Sequence, residues 1–275
     1  MLESGRFPHA VLLHGPQGIG KRMLSETLAY RLICGPAAAG EVDMFGAPVA
    51  TEGQGPLAFN TESPQYHQLL AESCPDYHVL QPDEGKKSIG IKQVQNLLEV
   101  LTRSADTART VIVDSLEDLT TEAANTLLKT LEEPRPGIYF ILIAHQLSAT
   151  LPTIRSRCRL MPVARLTDAE TRQVLEANKE DPTLATVANG APGSVIGSGA
   201  KARAEALIKL QNGEKPALTT PNFTSVLMQH LAGKEPTLQQ AQTYFKLAAL
   251  QRDAADKNLP ANLVNESALN LYEKL

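Results

Sequence analysis

A short apolar run, Ala10-Val-Leu-Leu-His14, passes directly into Gly15-Pro-Gln-Gly18-Ile-Gly20-Lys21 and then into a helical pattern. This order constrains the fold more than any other feature of the chain. A buried strand that turns through glycines into a helix is the setting in which several backbone amides converge on a phosphate. The helix N-terminus adds its partial positive charge, and a lysine at position 21 reaches the outer phosphates. Gly15, Gly18, Gly20, Lys21 and the next residue, Arg22, are therefore candidates for binding a nucleotide.

Strands and helices keep alternating after the loop. Met23, Leu24, Leu28 and Leu32 fall on roughly one side of the first helix, whereas residues 34–74 lose all periodicity and read as a long loop insertion. A strand is expected within 76–82, then a helix whose Ile91, Val94, Leu97, Leu98 and Leu101 stack at helical spacing. Val111–Val113 reads as a buried strand ending on Asp114. A threonine-capped helix follows, with Ala124, Leu127, Leu128 and Leu131 on one face and a stop at Pro134, and then a wholly apolar strand, 138–144. The fold class implied is α/β, a P-loop parallel sheet covered on both faces. From about Leu166 the strands stop. Thr167 with Glu170 makes a capping box, a second helix closes at Asn189-Gly190, and helical patterns continue beyond Gly199. The expected organisation is a base domain at 1–163, a small helical domain at 164–205 and an all-α segment at 206–275.

Composition removes several function classes. At 275 residues the chain buries a core without staples, and 26 basic against 30 acidic residues give a net charge of −4. That balance excludes coating nucleic acid through bulk positive charge. Six Tyr, six Phe and no Trp argue against a base-stacking groove. Cys34, Cys74 and Cys158 are too few and too scattered for a disulfide framework. No apolar run reaches the ~18 residues of a membrane span, and the first residues lack the pattern of a signal peptide, so a soluble cytoplasmic protein is expected.

The nucleotide site is incomplete in two places. Arg22 stands where the motif asks for Ser or Thr, and a guanidinium donates but cannot ligate magnesium. Asp114 ends its strand where a Walker-B aspartate belongs, yet Ser115 follows instead of a glutamate that would polarise water. Without these groups, charge on a transferring phosphoryl group is poorly neutralised. No cofactor is required on this reading, and ATP with magnesium would be held weakly.

Three further segments carry a resemblance. Asn125-Thr-Leu-Leu-Lys-Thr-Leu-Glu-Glu-Pro134 resembles a helix of clamp-loader ATPase domains. Leu151-Pro-Thr-Ile-Arg-Ser-Arg157-Cys158 resembles their Ser-Arg-Cys motif, and Cys74-Pro-Asp-Tyr-His-Val-Leu80 followed by Ile89-Gly-Ile-Lys-Gln-Val94 resembles their His-Pro-Asp strand and next helix. With the phosphate loop, residues 5–200 are similar to the bacterial clamp-loader AAA+ family. That resemblance implies a subunit of the replicative DNA polymerase assembly that acts as a stator while a sliding clamp is loaded on primed DNA. Its partners would be the ATPase and clamp-opening subunits, with clamp and DNA met through the complex and no membrane involved. The resemblance also implies that Arg157 serves as an arginine finger in a neighbour's ATP site. By composition alone, Arg155, Arg157 and Arg159 read equally well as phosphate-directed or as a solvated or DNA-facing basic segment. Lys92, Arg103 and Arg109 are further DNA candidates.

Departures from the family pattern have consequences. Relatives carry a zinc-binding cysteine cluster in the insertion. Here only Cys34 and Cys74 remain, with His67 and His78 nearby, and no metal is expected. Gly190-Ala-Pro-Gly-Ser194 lacks the nucleotide-sensing arginine, and His145 falls near a polar sensor position but reads first as a buried or hydrogen-bonded histidine. The C-terminal helices correspond to a shortened collar. The alternative reading is a self-sufficient P-loop AAA+ ATPase that keeps Lys21 and Asp114.

Overall fold

The structure is a computed structural model that describes residues 7–37, 57–102, 108–197, 199–220, 223–231, 237–256 and 259–274. The described residues form two compact units, one within 1–15 and 21–163 and the other within 16–20 and 164–275.

Among the described residues the first unit is built on five parallel strands, β1 (Ala10–His14), β2 (Tyr77–Leu80), β3 (Arg109–Val113), β4 (Ile138–Ala144) and β5 (Arg159–Pro162), in the order β2-β3-β4-β1-β5. This is the α/β parallel sheet, covered on both faces, that is expected from the sequence. Strand side chains alternate between two cores. Val11, Leu13, Ile112, Ile141 and Ile143 face α1 (Lys21–Cys34), which contributes Leu28 and Ala29. On the other face, Ala10, Leu12, Val111, Val113, Phe140 and Leu142 pack against α3 (Ile91–Leu101) and α4 (Thr121–Glu132). Burial on both sides is why Ala10–Leu13 of β1, Val111–Val113 of β3 and Phe140–Ala144 of β4 show no alternation.

Three local expectations are corrected. Met23 is 68% exposed, because α1 buries the face of Lys21, Ser25, Leu28 and Ala29 instead. Ile91, at the start of α3, is likewise exposed. Residues 57–74 are not all loop: Ser63 caps α2 (Pro64–Leu70) by accepting from the Tyr66 N–H at 3.2 Å, and Pro36 pairs with Phe59 in an antiparallel bridge. The remainder of the insertion, 38–56, lies outside the described residues. Beyond β4, the one-turn helix α5 (Pro152–Arg155) precedes β5, which bonds to β1 at the edge of the sheet among the described residues and ends on a proline, a residue that edges tolerate.

The second unit is helical: α6 (Asp168–Ala177), α7 (Ala185–Ala188), α8 (Ala200–Gln211), α9 (Phe223–Leu231), α10 (Leu238–Asp256) and α11 (Ala261–Tyr272). The expected capping box opens α6, with Thr167 Oγ1 accepting from the Glu170 N–H and Glu170 Oε2 accepting from the Thr167 N–H. The helix expected before Asn189 is only one turn of α7 after a 3₁₀ turn, and it stops where Asn189 takes the left-handed conformation. One apolar core runs from Leu175 through Leu207, Phe223 and Leu227 to Leu247 and Ala268, spanning both sides of position 205. No helix among the described residues is long and apolar enough to cross a membrane.

Gly190 closes α7 with φ of 73°, and a Cβ there would lie 2.4 Å from the Leu166 carbonyl oxygen. The Gly190 carbonyl also accepts from the Leu166 N–H at 3.0 Å. A Gly190→Ala variant combines a strained dihedral with backbone overpacking, and is expected to lose about 2–4 kcal/mol of stability in chemical denaturation. A loss below about 0.5 kcal/mol would contradict this close approach.

Candidate functional site

The phosphate loop leaves β1 at Gly15, whose N–H donates to the Ala144 carbonyl at 3.3 Å. Residues 16–20 belong to the second unit, and there Gly18 meets Gly193 backbone to backbone. The Gly193 N–H donates to the Gly18 carbonyl at 2.8 Å, and a Cβ on Gly193 would sit 2.9 Å from Gly18 Cα. Gly18, at φ of 84°, is thus required for dihedral and for space. Gly20 also has a positive φ, 89°.

Lys21 opens α1 and is only 3% exposed. Its ammonium donates to the Gly15 carbonyl at 2.6 Å. Burial draws its pKa down to about 8, against the opposing pull of Glu117 first and Asp114 second. Arg22, one residue on, is held by three side chains. Its Nε donates to Glu26 Oε1 at 2.6 Å, and its Nη1 donates to Gln81 Oε1 and to Asp114 Oδ2, each at 3.2 Å. The aspartate that would help hold magnesium is therefore paired with a guanidinium supplied from the hydroxyl position of the motif. Gly15, Lys21, Arg22 and Asp114 are brought together in the first unit, while Gly18 and Gly20 lie in the second.

Glu117 is the group that sequence reasoning missed. Ser115 occupies the position next to Asp114 and bonds to Asp118 Oδ2 at 2.7 Å. A short 3₁₀ turn, Leu116–Asp118, then carries Glu117 back towards Lys21. Glu117 Oε1 accepts from the N–H groups of His145 and Gln146 at 2.7 and 2.8 Å. Its Oε2 is buried with no hydrogen-bond partner among the described residues, as is Nδ1 of His145. Burial and then the Lys21 charge push His145 down from its usual range, so its imidazole is neutral at pH 7. The signal available in the sequence was the Asp114-Ser-Leu-Glu117 spacing, one tight turn long.

Arg157 is held separately, by groups outside the Lys21–Asp114 cluster. Its Nη2 pairs with Glu132 Oε1 at 2.6 Å, and its Nη1 donates to the Thr153 carbonyl at 2.9 Å and to Ser156 Oγ at 3.1 Å. Arg159 is exposed at the start of β5, and Arg155 is half-buried at the end of α5. Cys158 packs against the core, and burial pushes its thiol up to about 12. Cys34 and Cys74 share an apolar cluster with Ile33 and Leu69, and burial raises both thiols. Among the described residues no three His, Cys, Asp or Glu side chains converge as a metal site.

Of the basic residues read as DNA candidates, Lys92 is exposed, and Arg103 lies outside the described residues. Arg109 is corrected. It is 4% exposed, donates to Asp76 Oδ1 at 3.1 Å and to the Val100 carbonyl at 3.2 Å, and so ties β3 to its surroundings instead of facing a ligand.

With this geometry in place, comparison with known proteins is informative. Residues 1–167 match the family model described as DNA polymerase III, delta subunit. The chain is 40% identical over 153 residues to DNA polymerase III subunit delta' of Pseudomonas aeruginosa, covering 54% of this chain and 41% of that protein. It is 31% identical over 170 residues to the same subunit of Escherichia coli, covering 58% and 43%. Replication factor C subunit 5 of Neurospora crassa is 28% identical over 178 residues, covering 65% and 49%. The matched region spans about two fifths of the length of these delta' relatives. The family match covers residues 1–167 of 275, and the chain belongs to the DNA polymerase III delta-subunit family, in its delta' branch.

Proposed function

We propose that this chain is a cytoplasmic clamp-loader subunit of the bacterial replicative DNA polymerase, a stator with no ATP turnover of its own. The observation that carries this reading is the Arg22–Asp114 ion pair. It sets a fixed cation beside the carboxylate on which a magnesium ion would depend, so the metal that neutralises a transferring phosphoryl group has no ligand pair to bind. Charge supports the same conclusion. Lys21 and Arg22 are already surrounded by Glu26, Asp114 and Glu117, so a metal-free triphosphate meets no surplus of positive charge.

The chemical contribution of the subunit is then Arg157, offered to the ATP site of a neighbouring subunit. Its guanidinium lies at the surface in the Ser156-Arg157-Cys158 motif, with geometry suited to phosphate. Residues 164–205 serve as a lid and 206–275 as a collar-like assembly element. Partners are the ATPase and clamp-opening subunits, and primed DNA and the sliding clamp are met through the complex. Direct phosphate contacts would be few and weakened by salt.

Calorimetric titration with ATP, with and without magnesium, tests the core of this reading. The purified chain is expected to show no magnesium-dependent binding. Arg22→Thr frees Asp114 and restores a hydroxyl, and is expected to gain magnesium-dependent affinity of about tenfold or more, roughly 1.4 kcal/mol. One observation favours the self-sufficient ATPase as a second reading: Glu117 brings a carboxylate near Lys21 that the motif itself lacks. Tight binding of magnesium-ATP by the unaltered chain, with turnover that Glu117→Gln abolishes, would select that reading.

A further inference from the structure

We infer that Glu132 is a latch on Arg157, an anion that occupies the guanidinium until a neighbour's nucleotide replaces it. The inference rests on the proposed role of Arg157 in trans and adds a regulatory partner to it.

Arg157 has two kinds of contact. Its Nη1 is tied to its own turn, through the Thr153 carbonyl and Ser156 Oγ. Its Nη2 meets Glu132 Oε1 at 2.6 Å, the acidic partner of this side chain. A carboxylate and a terminal phosphate offer paired oxygens to the same planar fork, so they compete for the same donors.

The placement of Glu132 makes it a fixed competitor. It is the last residue of α4, a helix anchored by Ala123, Ala124, Leu127 and Leu131 in the core. A negative charge at a helix C-terminus works against the helix dipole. Glu132 is therefore not there for the helix's benefit, and Arg157 is the cation that offsets it. The two side chains are 34% and 48% exposed, so the pair is weak enough to exchange and open to an incoming anion. When a triphosphate takes the guanidinium, the Glu132 carboxylate is left beside it and repels it. When the terminal phosphate leaves, the ion pair re-forms. The latch thus lowers the neighbour's affinity for nucleotide and resets the arginine after hydrolysis.

The test uses the complete loader, reassembled from this chain and its cognate ATPase and clamp-opening subunits, with a fluorescent ATP analogue as probe. Glu132→Gln keeps shape and removes charge. It is expected to tighten nucleotide binding about two- to fivefold, the range of an exposed ion pair. In the Arg157→Ala background the same substitution is expected to change nothing, because there is no guanidinium to release. If Glu132→Gln leaves affinity unchanged while Arg157→Ala slows turnover, the latch is overturned and the role of Arg157 stands. If Glu132→Gln tightens binding equally with and without Arg157, the carboxylate acts on the nucleotide directly and the latch is again overturned. If Arg157→Ala alters neither binding nor turnover, the underlying reading fails and the latch with it. Matched thermal melts of the variants exclude misfolding as the cause of any difference.

Discussion

Replacing Arg157 with alanine in the assembled loader is expected, on its proposed role in trans, to slow hydrolysis at a neighbouring ATP site by ~10³-fold or more. An arginine supplied in trans stabilises charge that develops on the transferring phosphoryl group. Assembly should persist. Arg157 contacts Glu132, Thr153 and Ser156 and is not part of a core, so its truncation removes no buried apolar surface. Arg157→Lys should remain slow, because an ammonium keeps the charge but loses the planar fork. Site-resolved phosphate release during a single turnover distinguishes the affected site from the others. Unchanged release at every site would remove Arg157 from the mechanism.

The second large effect is a pH dependence centred on Lys21. Its pKa falls from near 10.5 in the unfolded chain to about 8 in the folded one, chiefly because it is buried. Between these two values the unfolded chain binds more protons, so stability attributable to this group rises with pH across that window. Below pH 8 the folded protein bears the full cost of a buried ammonium, roughly 3 kcal/mol. Lys21→Met removes that cost and also the hydrogen bond to the Gly15 carbonyl, which is worth about 1 kcal/mol. The variant is therefore expected to be more stable than the parent by roughly 2 kcal/mol at pH 7. The difference should shrink, and then reverse, as pH rises from 8 to 10.5. Urea unfolding of both proteins across this range provides the comparison. A difference that does not change with pH would mean that the lysine is not desolvated. A phosphate-loop lysine that destabilises its own fold is consistent with a site inherited for shape.

Much of this architecture was legible in the residues, for reasons that can be named. The central parts of β1, β3 and β4 (Ala10–Leu13, Val111–Val113 and Phe140–Ala144) are buried on both faces, so their apolar runs stand out. β5 was not legible. Arg159-Leu-Met-Pro162 has no pattern of its own, and its register against Val11–His14 of β1 supplies the pairing. α2 escaped notice because Leu69 is its only buried residue among the seven, too few for a period to emerge. Met23 shows the reverse error: helical spacing marks a face, and Lys21 and Ser25 turned out to lie on the buried one.

The site divided in the same way. Gly15, Gly18, Gly20, Lys21, Arg22 and Asp114 carry a motif whose spacing is local, and the absence of a hydroxyl at position 22 could be read directly. What Arg22 does could not. Its bond to Asp114 joins the start of α1 to the end of β3, and only the sheet order makes them neighbours. Glu117 depends on a 3₁₀ turn, and the Glu132–Arg157 pair on how α4 and the segment after α5 come together. Arg109 was misread because a basic residue at the head of a strand gives no hint that Asp76 waits beside it.

The central claim is that this chain works through its neighbours and not through its own nucleotide site. Native mass spectrometry of the chain mixed with its cognate ATPase and clamp-opening subunits addresses it most directly. The account predicts one defined hetero-oligomer containing this chain, in which no ATP is found on this chain itself. A chain that stays apart from those subunits and carries magnesium-ATP of its own would contradict it.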